Sequence, residues 1–343
     1  MDALPTWISC ILVFVTSALW LQLAQAQSTG VATHIDNPIV LQRADPWLVR
    51  HEQTGCYTFI GTSPKFNEIE LRQACRLNDL KLAEPKVVWR KHETGPMSTN
   101  IWAPELHQIE GSWYIYYAAA PKDKPFNIRM YALKNTHADP MQGQWQEVGQ
   151  IKTHLDTFSL DATTFEHRGK RYLVWAQQDK ERTYNSALWL AQMDSPTTIK
   201  MPVTLLSEPT LEWEVQGYKV NEGAAVIKHG KRIFITYSAS ATDHRYAMGL
   251  LWADIDADLT DAASWHKQAE PLFETNADLG RFGPGHNGFT LAEDGKTPLM
   301  IYHSRDYKEL QGSPLSDPNR HARVRVVGFD ENGMLKVYPE KLD

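Results

Sequence analysis

Residues 220–240, VNEGAAVIKHGKRIFITYSAS, place one carboxylate, Glu222, at the start of a run that otherwise reads as protein interior. Gly223, Ala224 and Ala225 follow it, and His229-Gly230-Lys231 makes a turn. Ile233, Phe234, Ile235 and Tyr237 then supply a second, strongly apolar strand. Strand–turn–strand accounts for every position except the acid. The same pattern occurs four more times: RADPWLVRHEQTGCYTFIGTS from Arg43, IWAPELHQIEGSWYIYYAAA from Ile101, SLDATTFEHRGKRYLVWAQQ from Ser159 and GPGHNGFTLAEDGKTPLMIYHSR from Gly283. Behind each comes a further strand, in order IELRQACRL, NIRMYALK, SALWLAQM, AMGLLWAD and RVRVVGFD.

The polar residues that lead the five repeats are Asp45, Glu105, Asp161, Glu222 and His286, separated by 60, 56, 61 and 64 residues. Pro and Gly interrupt the segments that might otherwise be helical. Five repeats of three to four strands predict an all-β chain folded as a five-bladed β-propeller, with its active site on the central axis. A sandwich or jelly roll does not predict a polar residue at one place in every repeat. In a propeller the innermost strands ring the axis, so these residues face one another, and the small residues after Glu222 relieve crowding there. Acids brought together raise one another's pKa at a cost in stability that packing alone would not select.

The totals bound the function classes. The chain has 343 residues, 42% hydrophobic and 22% charged, and no linker-like stretch divides it. A net charge of −6 and the lack of a basic stripe argue against a nucleic-acid partner. Twelve Trp and thirteen Tyr are read mainly as blade packing, with a few as platforms facing a sugar. The apolar stretch ISCILVFVTSALWLQL, ending in Ala24-Gln25-Ala26, reads as a secretory signal over residues 1–26, although no Lys or Arg precedes it. The expectation is a single propeller domain over 27–343, secreted to the cell exterior or periplasm, monomeric and free of the membrane after cleavage.

Two carboxylic acids with separated pKa values suit glycosidic bond cleavage, one protonating the leaving oxygen and the other activating water on the opposite face. Other chemistries fit less well. There is no His-Glu-x-x-His, no Gly-x-Ser-x-Gly, and GRFGPGHNG lacks the Lys-Ser/Thr of a phosphate loop.

RADPWLV, IWAPELH, SLDATTF, VNEGAAV and GPGHNGF, in this order and at blade spacing, resemble glycoside hydrolase family 43. The resemblance extends over nearly all of residues 36–340. It implies an inverting enzyme with Asp45 as general base, Glu222 as general acid and Asp161 as the acid that tunes and positions the donor. Asp45 and Glu222 would then stand about 6.5–9.5 Å apart. The resemblance also implies that His286 and Arg305 bind the sugar. Trp102, three residues before Glu105 on the second blade's approach to the axis, is expected to pack beside it. No cofactor is required, but a structural calcium or other cation on the axis, at His286, is compatible with the family. The wording of the motifs and the lack of a C-terminal β-sandwich resemble exo-acting α-L-arabinofuranosidases. The expected substrate is a plant cell-wall polysaccharide or arabino-oligosaccharide, with the 186–221 and 253–285 connections closing the pocket. A β-xylosidase, an endo-arabinanase and a non-catalytic carbohydrate-binding propeller remain open alternatives.

Cys56 and Cys75 remain after the signal segment carrying Cys10 is removed, and an exported chain meets oxidising conditions. They lie on strands joined by the turn around Ser63–Asn67. Pairing Gly61 with Glu70 gives an index sum that Cys56 and Cys75 share, so a disulfide is expected between them.

Overall fold

The computed structural model describes residues 34–339, and the secretory segment expected over 1–26 lies outside them. Five antiparallel sheets follow one another along the chain, four of them four-stranded in simple meander order and the third with an extra strand. They are numbered here as blades I to V. Their innermost strands are Ala44–Arg50, Thr99–Ile109, Ser159–His167, Asn221–His229 and Phe282–Leu291. The fold is the expected five-bladed propeller. The ring closes through the chain start, where Ile39 N–H donates to the Ala322 carbonyl at 2.9 Å and Ala322 N–H to the Val40 carbonyl at 2.9 Å.

The second strand of each blade explains the continuous apolar runs in the sequence. Ser112–Ala120 is buried on both faces, because neighbouring blades cover it from either side. Trp113, Ile115 and Tyr117 pack towards blade I, while Tyr114 and Tyr116 join Trp175 and Trp189 of blade III. Each such large side chain removed from water contributes about 1.5–3 kcal/mol. Tight turns link first to second strands: Glu110-Gly111 (φ 50° and 77°) and Arg168-Gly169 (φ 52° and 73°) carry the paired positive φ of a two-residue hairpin.

The blade I hairpin adopts the register anticipated above, with Tyr57 opposite Ala74 and Thr58 opposite Gln73. Cys56 and Cys75 extend that register and are joined by a disulfide, their Cα atoms 3.8 Å apart.

Every inner strand is interrupted at its axial end by a register shift against its neighbour. A bulge there inserts a residue, bends the strand and re-aims a side chain. Asp45 (φ 50°), Ala103 (45°), Asp161 (57°), Gly223 (58°) and His286 (46°) all occupy the left-handed region at this place. Four of the five are not glycine, and such strain persists where surrounding structure enforces it. Gly223 has a further constraint, since a Cβ would lie 3.0 Å from His286 Cγ.

Candidate active site

The bulge residues define the true blade-to-blade correspondence, and it differs from the expected one at two positions. Glu222 stands one residue before its bulge. Glu105 stands two after, so the small Ala103 takes its place around the cavity. Glu105 lies deeper, buried, with one carboxylate oxygen 2.8 Å from His107 Nε2. Burial pushes its carboxyl well up and holds His107 down at about 3.

Asp45, Asp161, Glu222, His286 and Trp102 all line one axial cavity of about 620 Å³, together with Arg320. The connection 186–221 contributes Tyr218 and Val220, as expected, whereas 253–285 contributes none of the lining. The 306–320 loop does so instead, through Ser313, Pro314 and Leu315. Trp102 faces the cavity and also packs against the core shared by blades II, III and IV. Its Nε1 is buried without a hydrogen-bond partner.

Arg305 is not at the cavity surface. It is 1% exposed and donates to the carbonyls of Asp317, Pro314 and Thr242, the last two belonging to residues that wall the cavity. The arginine that reaches the acids is Arg320, whose Nη1 is 3.7 Å from Asp45 Oδ1.

Asp45 is held by cationic and donor groups. The Thr62 hydroxyl donates to Oδ2 at 2.6 Å, and His286 Nδ1 lies 3.3 Å from Oδ1. Its own N–H donates to His303 Nδ1 at 3.1 Å, which fixes the neutral His303 ring with its proton on Nε2. Burial alone would push the Asp45 carboxyl up. His286, Arg320, His303 and Thr62 overcome burial and hold it at about 2, so Asp45 is ionised. Burial depresses both imidazoles, which leaves Arg320 as the permanent charge.

Glu222 has a different neighbourhood. Its Oε1 accepts from the Tyr246 hydroxyl at 2.8 Å. Burial first, and then the Asp45 charge, raise its carboxyl to about 7, against the opposing pull of Tyr246 and Arg320. Tyr246 stacks on His303 with ring centroids 5.8 Å apart, and Gly285 lacks the Cβ that would strike the Tyr246 ring at 2.3 Å. Asp161 accepts the Gly223 N–H at 3.0 Å and so fixes the backbone beside Glu222. Its own carboxyl is driven well up by burial, then by Glu222, Asp45 and Glu105.

The four residues that complete this environment, Thr62, Tyr246, His303 and Arg320, come from second strands and loops. Nothing in the fivefold pattern marks them. His286 Nε2 is buried without a partner, which suits an axial cation. Among the described residues, however, no three His, Cys, Asp or Glu side chains are grouped to hold a metal ion.

The profile of Glycosyl hydrolases family 43 matches residues 35–335. Over 279 residues the chain is 49% identical to the extracellular exo-alpha-(1->5)-L-arabinofuranosidase of Streptomyces chartreusis, covering 81% of this chain and 85% of that protein. It is 48% identical over 297 residues to the protein of the same description from Streptomyces avermitilis, covering 87% of this chain. The match spans only 62% of that relative's length. The crystal structure of an α-L-arabinofuranosidase from Lactobacillus brevis superposes with a TM-score of 0.86 at 45% identity, covering 90% of this chain and 98% of that one. A profile match across most of the chain and relatives near half identity place these bulged inner strands and their acids in a known lineage: the chain belongs to glycosyl hydrolases family 43.

Proposed function

We propose that the protein is a secreted, inverting, exo-acting α-L-arabinofuranosidase that releases arabinose from arabinan or from arabinoxylan side chains. The observation that carries the reading is the split of two carboxylates within one cavity, Asp45 held at about 2 and Glu222 raised to about 7. Near neutral pH one is a carboxylate and the other retains much of its proton, which are the states a base and an acid need.

In the proposed reaction Asp45 takes a proton from a water whose oxygen attacks the anomeric carbon. Glu222 gives its proton to the departing glycosidic oxygen as that bond breaks, and the anomeric configuration inverts. Asp161 positions the donor through the Gly223 amide, and Trp102 offers an apolar face to sugar C–H groups. His286, beside Asp45, would contact the sugar. A cation bound at its free nitrogen would act electrostatically, with no step passing through it.

Loops from several blades surround the cavity, and Phe126, Tyr218 and Leu315 stand exposed around it. That enclosure suits a chain end better than an open groove. The test is proton NMR of the first sugar released from linear arabino-oligosaccharides, with product sizing. The expected result is arabinose, released with inverted configuration, as the sole early product. Retained configuration would contradict the assignment of Asp45. Early products of mixed length would favour the endo-arabinanase alternative.

A further inference from the structure

One buried charged pair takes no part in the reaction above. Arg305 and Asp317 are 1% and 0% exposed, with Nη1 3.4 Å from Oδ1. Asp317 organises the loop around it, accepting the N–H groups of Gln311 at 2.8 Å and Asn319 at 2.9 Å and the Tyr307 hydroxyl at 3.0 Å. Arg305 ties that loop to a second wall of the cavity, donating to the Pro314 carbonyl at 2.8 Å and the Thr242 carbonyl at 3.2 Å. One turn of chain beyond Asp317, the loop ends at Arg320, the residue beside Asp45.

We propose that Arg305 and Asp317 form a positioning latch, which holds the 306–320 loop so that Pro314 and Leu315 wall the cavity and Arg320 stays against Asp45. The latch touches neither sugar nor acid and acts through Arg320. A buried ion pair with both Nη atoms and both carboxylate oxygens hydrogen-bonded fixes a conformation rather than adding much stability, and losing one partner leaves an uncompensated charge. The inference rests on the reading of Asp45 as base.

The group it controls has neighbours on every side. His286 and His303 face Asp45 from blade V, Asp161 from blade III, Glu222 and Tyr246 from blade IV, and Thr62 from blade I. Beside these stands Arg320, the contributor carried on the loop that the latch ties down. Displacing it removes the one permanent positive charge near Asp45, so the carboxyl must take up protons at higher pH.

The experiment compares pH profiles of kcat/KM for the wild type, Asp317→Asn, Arg305→Lys and Arg320→Met, using 4-nitrophenyl α-L-arabinofuranoside, with folding followed by circular dichroism at each pH. Asp317→Asn and Arg320→Met should both move the acid limb upward by about one to two pH units. Arg305→Lys, which keeps the charge but not the fork, should move it less. An even loss of activity at all pH values in Asp317→Asn, or an unchanged profile, overturns the latch if Arg320→Met does shift the limb. If Arg320→Met leaves the limb where it was, the assignment of Asp45 fails instead. Should Asp317→Asn not fold, Arg305→Lys and Tyr307→Phe carry the same comparison, and an unmoved limb in both overturns the proposal.

Discussion

Asp45 and Glu222 occupy two corners of one cavity and carry the same functional group, yet their surroundings drive them apart. The Asp45 corner gathers Arg320, two imidazoles and the Thr62 hydroxyl, so that burial is overcome and the carboxyl stays ionised. The Glu222 corner has one hydrogen-bonding hydroxyl, from Tyr246, and a pull from Arg320 set against the repulsion of Asp45, so burial prevails and the carboxyl is raised. Burial is the first influence in both corners. What decides the outcome is the set of groups delivered from second strands and loops. Role follows from neighbours rather than from the acid itself.

That comparison can be broken from either corner. Asp45→Ala should cost the most, roughly 10²–10⁴ in kcat on every substrate, because water must be activated whatever departs. Azide restoring turnover as a glycosyl azide of the same inverted configuration would sharpen the assignment, and near-normal turnover would end it. A change outside both corners should leave the split intact. Replacing Cys56 and Cys75 with Ser removes a short cross-link, and the fold should lose on the order of 2–3 kcal/mol in denaturant unfolding. The pH profile should be unchanged, because the hairpin lies away from the acids.

Smaller effects probe the Glu222 corner. A carboxyl raised to about 7 keeps its proton below that pH, so activity should be present on the acid side and fall as pH rises through about 7. Tyr246 donates to the carboxylate form and lowers the pKa. Tyr246→Phe should therefore move the alkaline limb upward by about one pH unit. A downward movement would show that the hydroxyl favours the protonated acid. Trp102→Ala should raise KM by about three- to fivefold with kcat little changed, since the ring offers sugar contact and not chemistry. Unchanged KM would assign Trp102 to core packing alone.

The fold was legible because blade packing writes itself into sequence. A strand covered on both faces, such as Ser112–Ala120, must be apolar throughout, and five such strands at similar spacing leave few alternatives. Asp45, Asp161, Glu222 and His286 were legible because they lead their repeats, and Trp102 because it shortly precedes that place in blade II. The exact correspondence was not. A left-handed φ at Ala103 leaves no trace in residue type, so Glu105 looked equivalent to Asp45 while the bulge put alanine at the cavity. Arg305 was misplaced for a related reason. It sits at the end of a strand, where repeat logic points to the axis, but the loop it supports folds over it and presents Arg320 instead. Tyr246, His303 and Thr62 reach the acids only through cross-strand pairing and blade neighbours, which are long-range facts.

The central claim is that the two corners have different chemical tasks, and leaving-group dependence tests it most directly. The measurement is kcat/KM of Glu222→Ala and Asp45→Ala on an α-1,5-linked arabino-oligosaccharide and on 4-nitrophenyl α-L-arabinofuranoside. An aryl leaving group hardly needs a proton, whereas a sugar alkoxide does. The account predicts that Glu222→Ala loses most activity on the oligosaccharide and much less on the aryl glycoside, while Asp45→Ala loses both to a similar degree. Equal dependence on the leaving group in the two variants, or the reverse order, would contradict it.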